Sequence, residues 1–345
     1  MLYSMAKLVL SINSELKALP HSTNLKSGMV LVTGAQGFVG LPLSAALVKL
    51  GYQVRAAVRG SFQANEEQEM LSVGDINGDT VWAQALVDVA VVIHLAARVH
   101  VMNEKAADAL SAYRKVNVEG TLNLAKQAVQ AGVKRFIFIS SIKVNGEGTV
   151  LDHPYCEEQA PAPMDAYGLS KYEAELALQQ LAQDTGLEVV IIRPVLIYGP
   201  GVKANFKAMM RGLTLGIPLP LASIHNQRSL LALDNLIDLI QVCISHPAAA
   251  NEIFLASDGV DLSTPELLIA MGEALGKPAR LIKLPERLLM LGAKLLGKQA
   301  MAQRLCGSLQ VDSSKARNLL GWQAPVSVQE ALHKVAVAYR HSQAC

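Results

Sequence analysis

A doubly wound α/β fold, one parallel sheet with helices on both faces and a smaller C-terminal lobe, is what this sequence predicts. Three observations carry that prediction. Short, almost wholly apolar runs alternate with helical stretches between residues 29 and 194. Glycines recur at every third position, Gly34, Gly37 and Gly40, directly after the first apolar run. Beyond Pro194 the alternation weakens, and prolines and glycines punctuate the chain (Gly199-Pro-Gly, Gly216-Ile-Pro-Leu-Pro).

The elements follow in order. Met29–Thr33 has the apolar content of a buried strand, and Leu41–Leu50 that of a helix stopped by Gly51. Gln53–Val58 and Val91–Ala96 are further strands, the latter followed by one long helical stretch from about Asp108 to Ala131. Phe136–Ser140 is a strand, Asp165–Thr185 a helix and Glu188–Arg193 a strand. Strands apolar on both faces belong to parallel sheets buried under helices. The expected organisation is an extension over residues 1–27, a dinucleotide-binding unit over 28–200, and a mainly substrate-binding lobe over 201–345 whose segments partly return to the sheet.

Composition narrows the function classes. The chain has 345 residues, 51% hydrophobic and 17% charged, which argues for a large buried core and against disorder. A net charge of +2 gives no reason to expect a nucleic-acid partner. Cys156, Cys243, Cys306 and Cys345 are far apart, without metal-ligand spacing, and read as reduced thiols of a cytoplasmic protein with no metal. The apolar run Lys7–Ile12 is too short to span a membrane, and no spanning run follows. Leu284–Lys298 is apolar with basic flanks; a packed helix of the smaller lobe is the expectation there, ahead of peripheral membrane contact.

The glycine turn Gly34-Ala35-Gln36-Gly37-Phe38-Val39-Gly40 lies between a strand and a helix, where backbone can approach a pyrophosphate that the helix N-terminus stabilises. The second strand ends at Arg59, not at an acid, so NADP(H) is favoured over NAD(H); Arg55 is near enough in sequence to assist. Gly74-Asp75-Ile76 offers a carboxylate to the adenine amino group. Leu95-Ala96-Ala97 offers small residues where backbone passes the cofactor, with His94 structural, and Pro194 closes the last strand of the unit.

Ser141 follows a strand end, and Tyr167 stands 26 residues later with Lys171 one helical turn beyond. A lysine on the face of a tyrosine is expected to lower the phenol's pKa and so prepare it to exchange a proton with a carbinol or ketone. Ser141 would polarise the same oxygen, and Lys171 would hold the nicotinamide ribose.

With these motifs the chain resembles the extended short-chain dehydrogenase/reductase superfamily over about residues 29–340. The likeness runs through the glycine turn, His94-Leu-Ala-Ala, Asn117-Val-Glu-Gly-Thr121, Ser140-Ser141, Tyr167…Lys171, Arg193–Pro200 and Val311–Trp322. Within it the chain looks most like the nucleotide-sugar epimerases and reductases acting at C4 of UDP-linked hexoses or N-acetylhexosamines. The resemblance implies Ser141, Tyr167 and Lys171 as the catalytic set, Arg228 on the substrate diphosphate, a cytoplasmic homodimer paired through the helices around Asn117 and Tyr167, and a place in surface-polysaccharide biosynthesis. Three positions depart from the group's patterns. Ile142-Lys143 replaces the Asp-Glu pair of sugar dehydratases, which argues against water elimination. Leu196 replaces a phosphate-contacting asparagine, and Arg59 replaces the acid of UDP-galactose 4-epimerases. A 4-epimerase and a 4-keto reductase both remain open. So do an NADPH-dependent reductase of a steroid- or flavonoid-type ketone and a non-catalytic cofactor sensor.

Overall fold

Alternating side chains along each strand supply two cores at once, because successive residues point to opposite faces of the sheet. The computed structural model describes residues 28–60, 68–99, 106–295 and 297–344; the extension expected over residues 1–27 and Cys345 lie outside them. Strands β1 (Met29–Thr33), β2 (Val54–Val58), β3 (Glu69–Ser72), β4 (Val89–His94), β5 (Arg135–Ile139) and β6 (Glu188–Pro194) enter the main sheet in chain order. β7 (Leu196–Tyr198) and β8 (Arg228–Ala232) leave it, and β9 (Ile253–Ala256) returns to it. The order is β3-β2-β1-β4-β5-β6-β9, and every pair is parallel. The order reverses between β1 and β4, the crevice where open α/β sheets bind ligands.

Val30, Val32, Ile137 and Ile139 bury against the face covered by α1 (Gly40–Lys49), α6 (Leu233–Ser245) and α10 (Ser314–Leu320). Their neighbours Leu31, Phe136 and Phe138 bury against the other face, under α3 (Thr121–Gln130) and α4 (Ala166–Thr185). A third core joins α5 (Ala204–Thr214), α7 (Thr264–Leu275) and α11 (Val328–Ala344). A small sheet, β10 (Asp261–Leu262) antiparallel to β8 with β8 parallel to β7, lies between this lobe and the main sheet.

Three expectations need correction. The helical stretch after β4 is not continuous: α2 (Ala106–Arg114) passes through a π-helical turn, Lys115–Gly120, into α3. The wider turn accommodates Asn117, fully buried, whose side chain bonds the backbone of Arg98 in both directions and donates to Ser170 Oγ at 3.0 Å. Arg55 is buried on β2 and donates to the carbonyls of Ala85 and Val87 and to Glu69, so it anchors the far end of the strand and does not reach a 2′-phosphate. The segment within Leu284–Lys298 forms α8 (Glu286–Leu295), but no residue of it is fully buried; Leu289 alone is packed against the lobe core. Its companion α9 (Gln299–Cys306) follows it. Among the described residues, no helix is long and apolar enough to cross a membrane.

Candidate active site

The glycine turn is shaped by contacts that exclude a side chain. Gly34 takes φ +66°, and a Cβ there would meet the Ala96 nitrogen at 2.9 Å, so the turn rests directly on the end of β4. Gly37 N donates to Gly34 O at 2.8 Å, and a Cβ on Gly40 would collide with the Gly34 carbonyl. Val39 starts α1 with no side-chain cap, and the first turn of α1 has no acid. Leu41 N donates to Gly37 O, Leu43 N donates to Val39 O and Pro42 has no N–H, so the N–H groups of Phe38, Val39 and Gly40, at the junction of turn and helix, are the donors left for an anion such as a dinucleotide diphosphate, and the residues present fit that group. Phe38 is exposed beside it; Leu95, Ala96 and Ala97 are partly buried along the same edge.

Arg59 and Asp75 lie together past the ends of β2 and β3. Arg59 Nε is 3.7 Å from an Asp75 carboxylate oxygen, with both side chains more than four-fifths exposed. Ile76, next to Asp75, is where a Cβ on Gly120 would strike, at 2.7 Å from Cγ2, so the π-turn supports this loop from below. Pro194 is buried at the end of β6, paired with Ala256 of β9.

His94 sits at the end of β4 with no exposure, between Thr33 Oγ1 at 2.7 Å and Thr121 Oγ1 at 3.0 Å, and its ring stacks on Phe138. Burial, and then the charge of Lys171, pull its pKa down to about 3. It is a neutral tie between β1, β4 and α3, as its strand-end position suggested.

Ser141 follows β5 and caps a short 3₁₀ turn, its oxygen accepting from Lys143 N at 3.2 Å while its side chain lies close enough to the Tyr167 phenol to oppose the rise of that group's pKa. Asp165 caps α4 by accepting from Gly168 N at 2.7 Å, which puts Tyr167 in the first turn facing the ends of β5 and β6. A Cβ on Gly168 would meet the Lys143 carbonyl at 2.7 Å, so the helix can approach the Ser141 turn only with glycine there. Lys143, where dehydratases carry an acid, pairs with Asp165 and with Glu147.

The relation between Tyr167 and Lys171 differs from expectation. The phenol is raised above its ordinary pKa, first by burial and then by Asp165 and Tyr113; Ser141 alone opposes. Lys171 points inward, donates to the Ile139 carbonyl at 2.8 Å and lies 4.4 Å from the centre of the Phe138 ring. Its burial pulls it down to about 7, against the pull of Glu175. The net effect on the phenol is a rise and not the fall expected beside a lysine.

Two residues of the site escaped the sequence reading. Glu175 is one turn beyond Lys171 on the same helix face. It accepts a bidentate pair from Arg193 Nε and Nη2 and a bond from Ser140, all buried. Tyr113 of α2 meets the Tyr167 ring edge-on, with centroids 6.0 Å apart. The spacing Tyr167-Lys171-Glu175 was the available signal for the first, since i, i+4, i+8 share a face; the second depends on tertiary packing alone.

Arg228 opens β8. Its Nη1 donates to the carbonyls of Arg304 at 3.0 Å and Gly307 at 2.9 Å, and burial lowers the guanidinium's pKa. Because those bonds share one nitrogen, the Nε–Nη2 edge is the fork that a diphosphate would engage. Leu196, at the start of β7, is half-exposed.

Residues 30–256 match the model of the NAD dependent epimerase/dehydratase family. A UDP-glucose 4-epimerase of Vibrio cholerae is 51% identical over 313 residues, covering 90% of this chain and 95% of the relative. Among solved structures, MoeE5 in complex with UDP-glucose and NAD matches with TM-score 0.72 and 25% identity, covering 92% of this chain and all of that one. The UDP-N-acetylglucosamine 4-epimerase from Bacillus cereus has the same fold, with TM-score 0.75 at 22% identity over 91% of this chain and 100% of that one. An uncapped helix N-terminus behind a glycine turn, a serine–tyrosine pair at the strand ends and a match across two-thirds of the sequence lead to one conclusion: this chain is an enzyme of the NAD dependent epimerase/dehydratase family, of the extended short-chain dehydrogenase/reductase type.

Proposed function

We propose that this enzyme interconverts C4 epimers of a UDP-linked hexose, or of its N-acetylamino counterpart, with a nicotinamide dinucleotide as resident cofactor. The observation that carries this reading is the placing of Ser141 beside the Tyr167 phenol at the carboxyl edge of the sheet, in a chain half identical to a UDP-glucose 4-epimerase of Vibrio cholerae. Gly34, Gly37, Gly40 and the N-terminus of α1 would hold the cofactor's diphosphate, and Arg59 and Asp75 its adenosine half. When bound in its oxidised form, that cofactor supplies a hydride acceptor and a positive charge.

Tyr167 takes the proton of the sugar's 4-hydroxyl as C4 loses hydride, and Ser141 donates a hydrogen bond to the same oxygen. The charge on the phenolate is borne by Ser141 and by the Lys171 ammonium when protonated. After the 4-keto sugar has turned over, Tyr167 would return the proton to the same oxygen, and the bound cofactor would supply the hydride it had taken up, so protons and electrons would balance over the cycle. Arg228 anchors the UDP diphosphate through its free fork, so the nucleotide stays fixed while the sugar turns. The helices α2, α3 and α4 offer the surface for the homodimer that the family resemblance implies, and the product suits glycosyl transfer into surface polysaccharide.

The test is interconversion of UDP-glucose and UDP-galactose, and of their N-acetylamino forms, by the purified protein. Conversion without added reductant, lost by about 10³-fold or more in Tyr167→Phe with UDP affinity retained, is the expected result. Turnover surviving in Tyr167→Phe removes the acid/base assignment. Consumption of NADPH stoichiometric with product makes the enzyme a net reductase instead.

A further inference from the structure

Helix α8 turns leucines both inward and outward. Leu289 packs on the lobe core, whereas Leu288, Leu291 and Leu295 are 54%, 55% and 80% exposed. At 100° per residue these three fall within about 60° of one another, opposite Leu289 and Ala293, with Arg287 and Lys294 along one border. Ile282, just before the helix, is also more than half exposed. A helix that merely closed the lobe would turn leucines inward and charges outward.

The charge around this stripe is equally uneven. Seven lysines and arginines lie between Lys277 and Arg304 against one acid, Glu286, in a chain whose net charge is only +2. The rest of the chain is therefore net acidic, and the basic excess is concentrated on α8 and its flanks. Lys283, Arg287, Lys294 and Lys298 are exposed beside the leucine stripe. A second copy of this chain is a poor occupant: a two-fold contact sets the same patch against itself and would oppose these cations. An apolar stripe bordered by cations fits a surface that is apolar inside and anionic outside.

We propose that α8 docks this enzyme on an anionic phospholipid surface, with Leu288, Leu291 and Leu295 in the acyl boundary and the flanking lysines and arginines at the headgroup phosphates. The docking face is joined to the substrate pocket. Helix α9 packs on α8, and the chain at the end of α9 supplies the carbonyls of Arg304 and Gly307 that hold Arg228.

The experiment is flotation of the full-length protein with vesicles of phosphatidylcholine, with and without phosphatidylglycerol. The wild type floats with the phosphatidylglycerol vesicles alone, and added salt releases it. Arg287→Gln and Lys294→Gln each weaken binding about five-fold, the effect of one interfacial cation. The triple change Leu288→Ser, Leu291→Ser and Leu295→Ser abolishes flotation, with unchanged melting and unchanged turnover of soluble UDP-sugar. Failure of the wild type to float, equal flotation without phosphatidylglycerol, or undiminished flotation of the leucine variant overturns the proposal. So does loss of dimerisation in the leucine variant, by light scattering, where the wild type shows no flotation. Flotation reads no turnover, so its outcome is separate from the epimerase test.

Discussion

Tyr167 shows how one side chain's chemistry depends on neighbours that sequence spacing does not reveal. Its phenol is pushed up by burial, Asp165 and Tyr113, while burial pulls Lys171 down to about 7, so the two groups are driven apart and the ammonium loses its proton before the phenol does. Glu175 keeps Lys171 from falling further. Glu175→Gln should therefore move the alkaline fall of kcat/KM to lower pH, because the ammonium is lost sooner. The same change leaves the buried Arg193 without its anion and should destabilise the fold by about 3 kcal/mol or more in denaturant titration. An unshifted pH limb in the folded variant would show that Glu175 serves packing alone. Arg59 bears on the cofactor: with its guanidinium exposed beside Asp75, Arg59→Ala should weaken NADP(H) binding about 10-fold or more while changing NAD(H) little. Equal weakening of both by calorimetry would remove Arg59 as the 2′-phosphate contact.

At the scale of elements, α4 matters through its first turn. Asp165 accepts from Gly168 N and pairs with Lys143, so it fixes both the start of the helix and the Ser141 turn that Lys143 follows. Asp165→Ala should cost about 1–2 kcal/mol of unfolding free energy, whereas Asp165→Asn, which keeps the cap, should cost less. Both remove a negative charge that raises Tyr167, so both should move the acid limb of kcat/KM downward. A variant with full stability and an unmoved limb would show the cap to be incidental. The π-turn before α3 is the element that sequence pattern could not anticipate. Apolar periodicity continues through residues 108–131, and only the burial of Asn117 against Arg98 and Ser170 requires a wider turn.

Across the whole molecule, His94 links the two cores to pH. Its pKa in the fold is about 3 against 6.5 ordinarily, so between those values the unfolded chain binds a proton that the fold excludes. Stability from this group is complete above pH 6.5 and is lost as pH falls towards 3, by up to about 5 kcal/mol. Lys171 acts in the opposite range: below about pH 7 the fold holds a buried cation at a cost, and stability rises from there towards pH 10.5 as the fold sheds the proton first. Thermal midpoints recorded against pH should show both slopes, and His94→Gln should flatten the acid one. An acid slope unchanged in that variant would assign acid unfolding to the carboxylates instead.

Strands β1, β2, β4, β5 and β6, helices α1 and α4, the glycine turn and the spacing of Ser141, Tyr167 and Lys171 were legible in the sequence, whereas the short strand β3 (Glu69–Ser72) was not. Each rests on local rules: apolar runs make strands, glycine permits the turn over Ala96, and an i, i+4 spacing sets a helix face. Tertiary structure alone decided how the charges act. It turned Lys171 towards Ile139, buried Arg55 against Ala85 and Val87, and set Glu175 on Arg193. The same holds for α8, whose apolar sequence led to the expectation of a packed helix but which leaves Leu288, Leu291 and Leu295 exposed. Periodicity states that a helix has an apolar face, but only packing decides whether protein covers it.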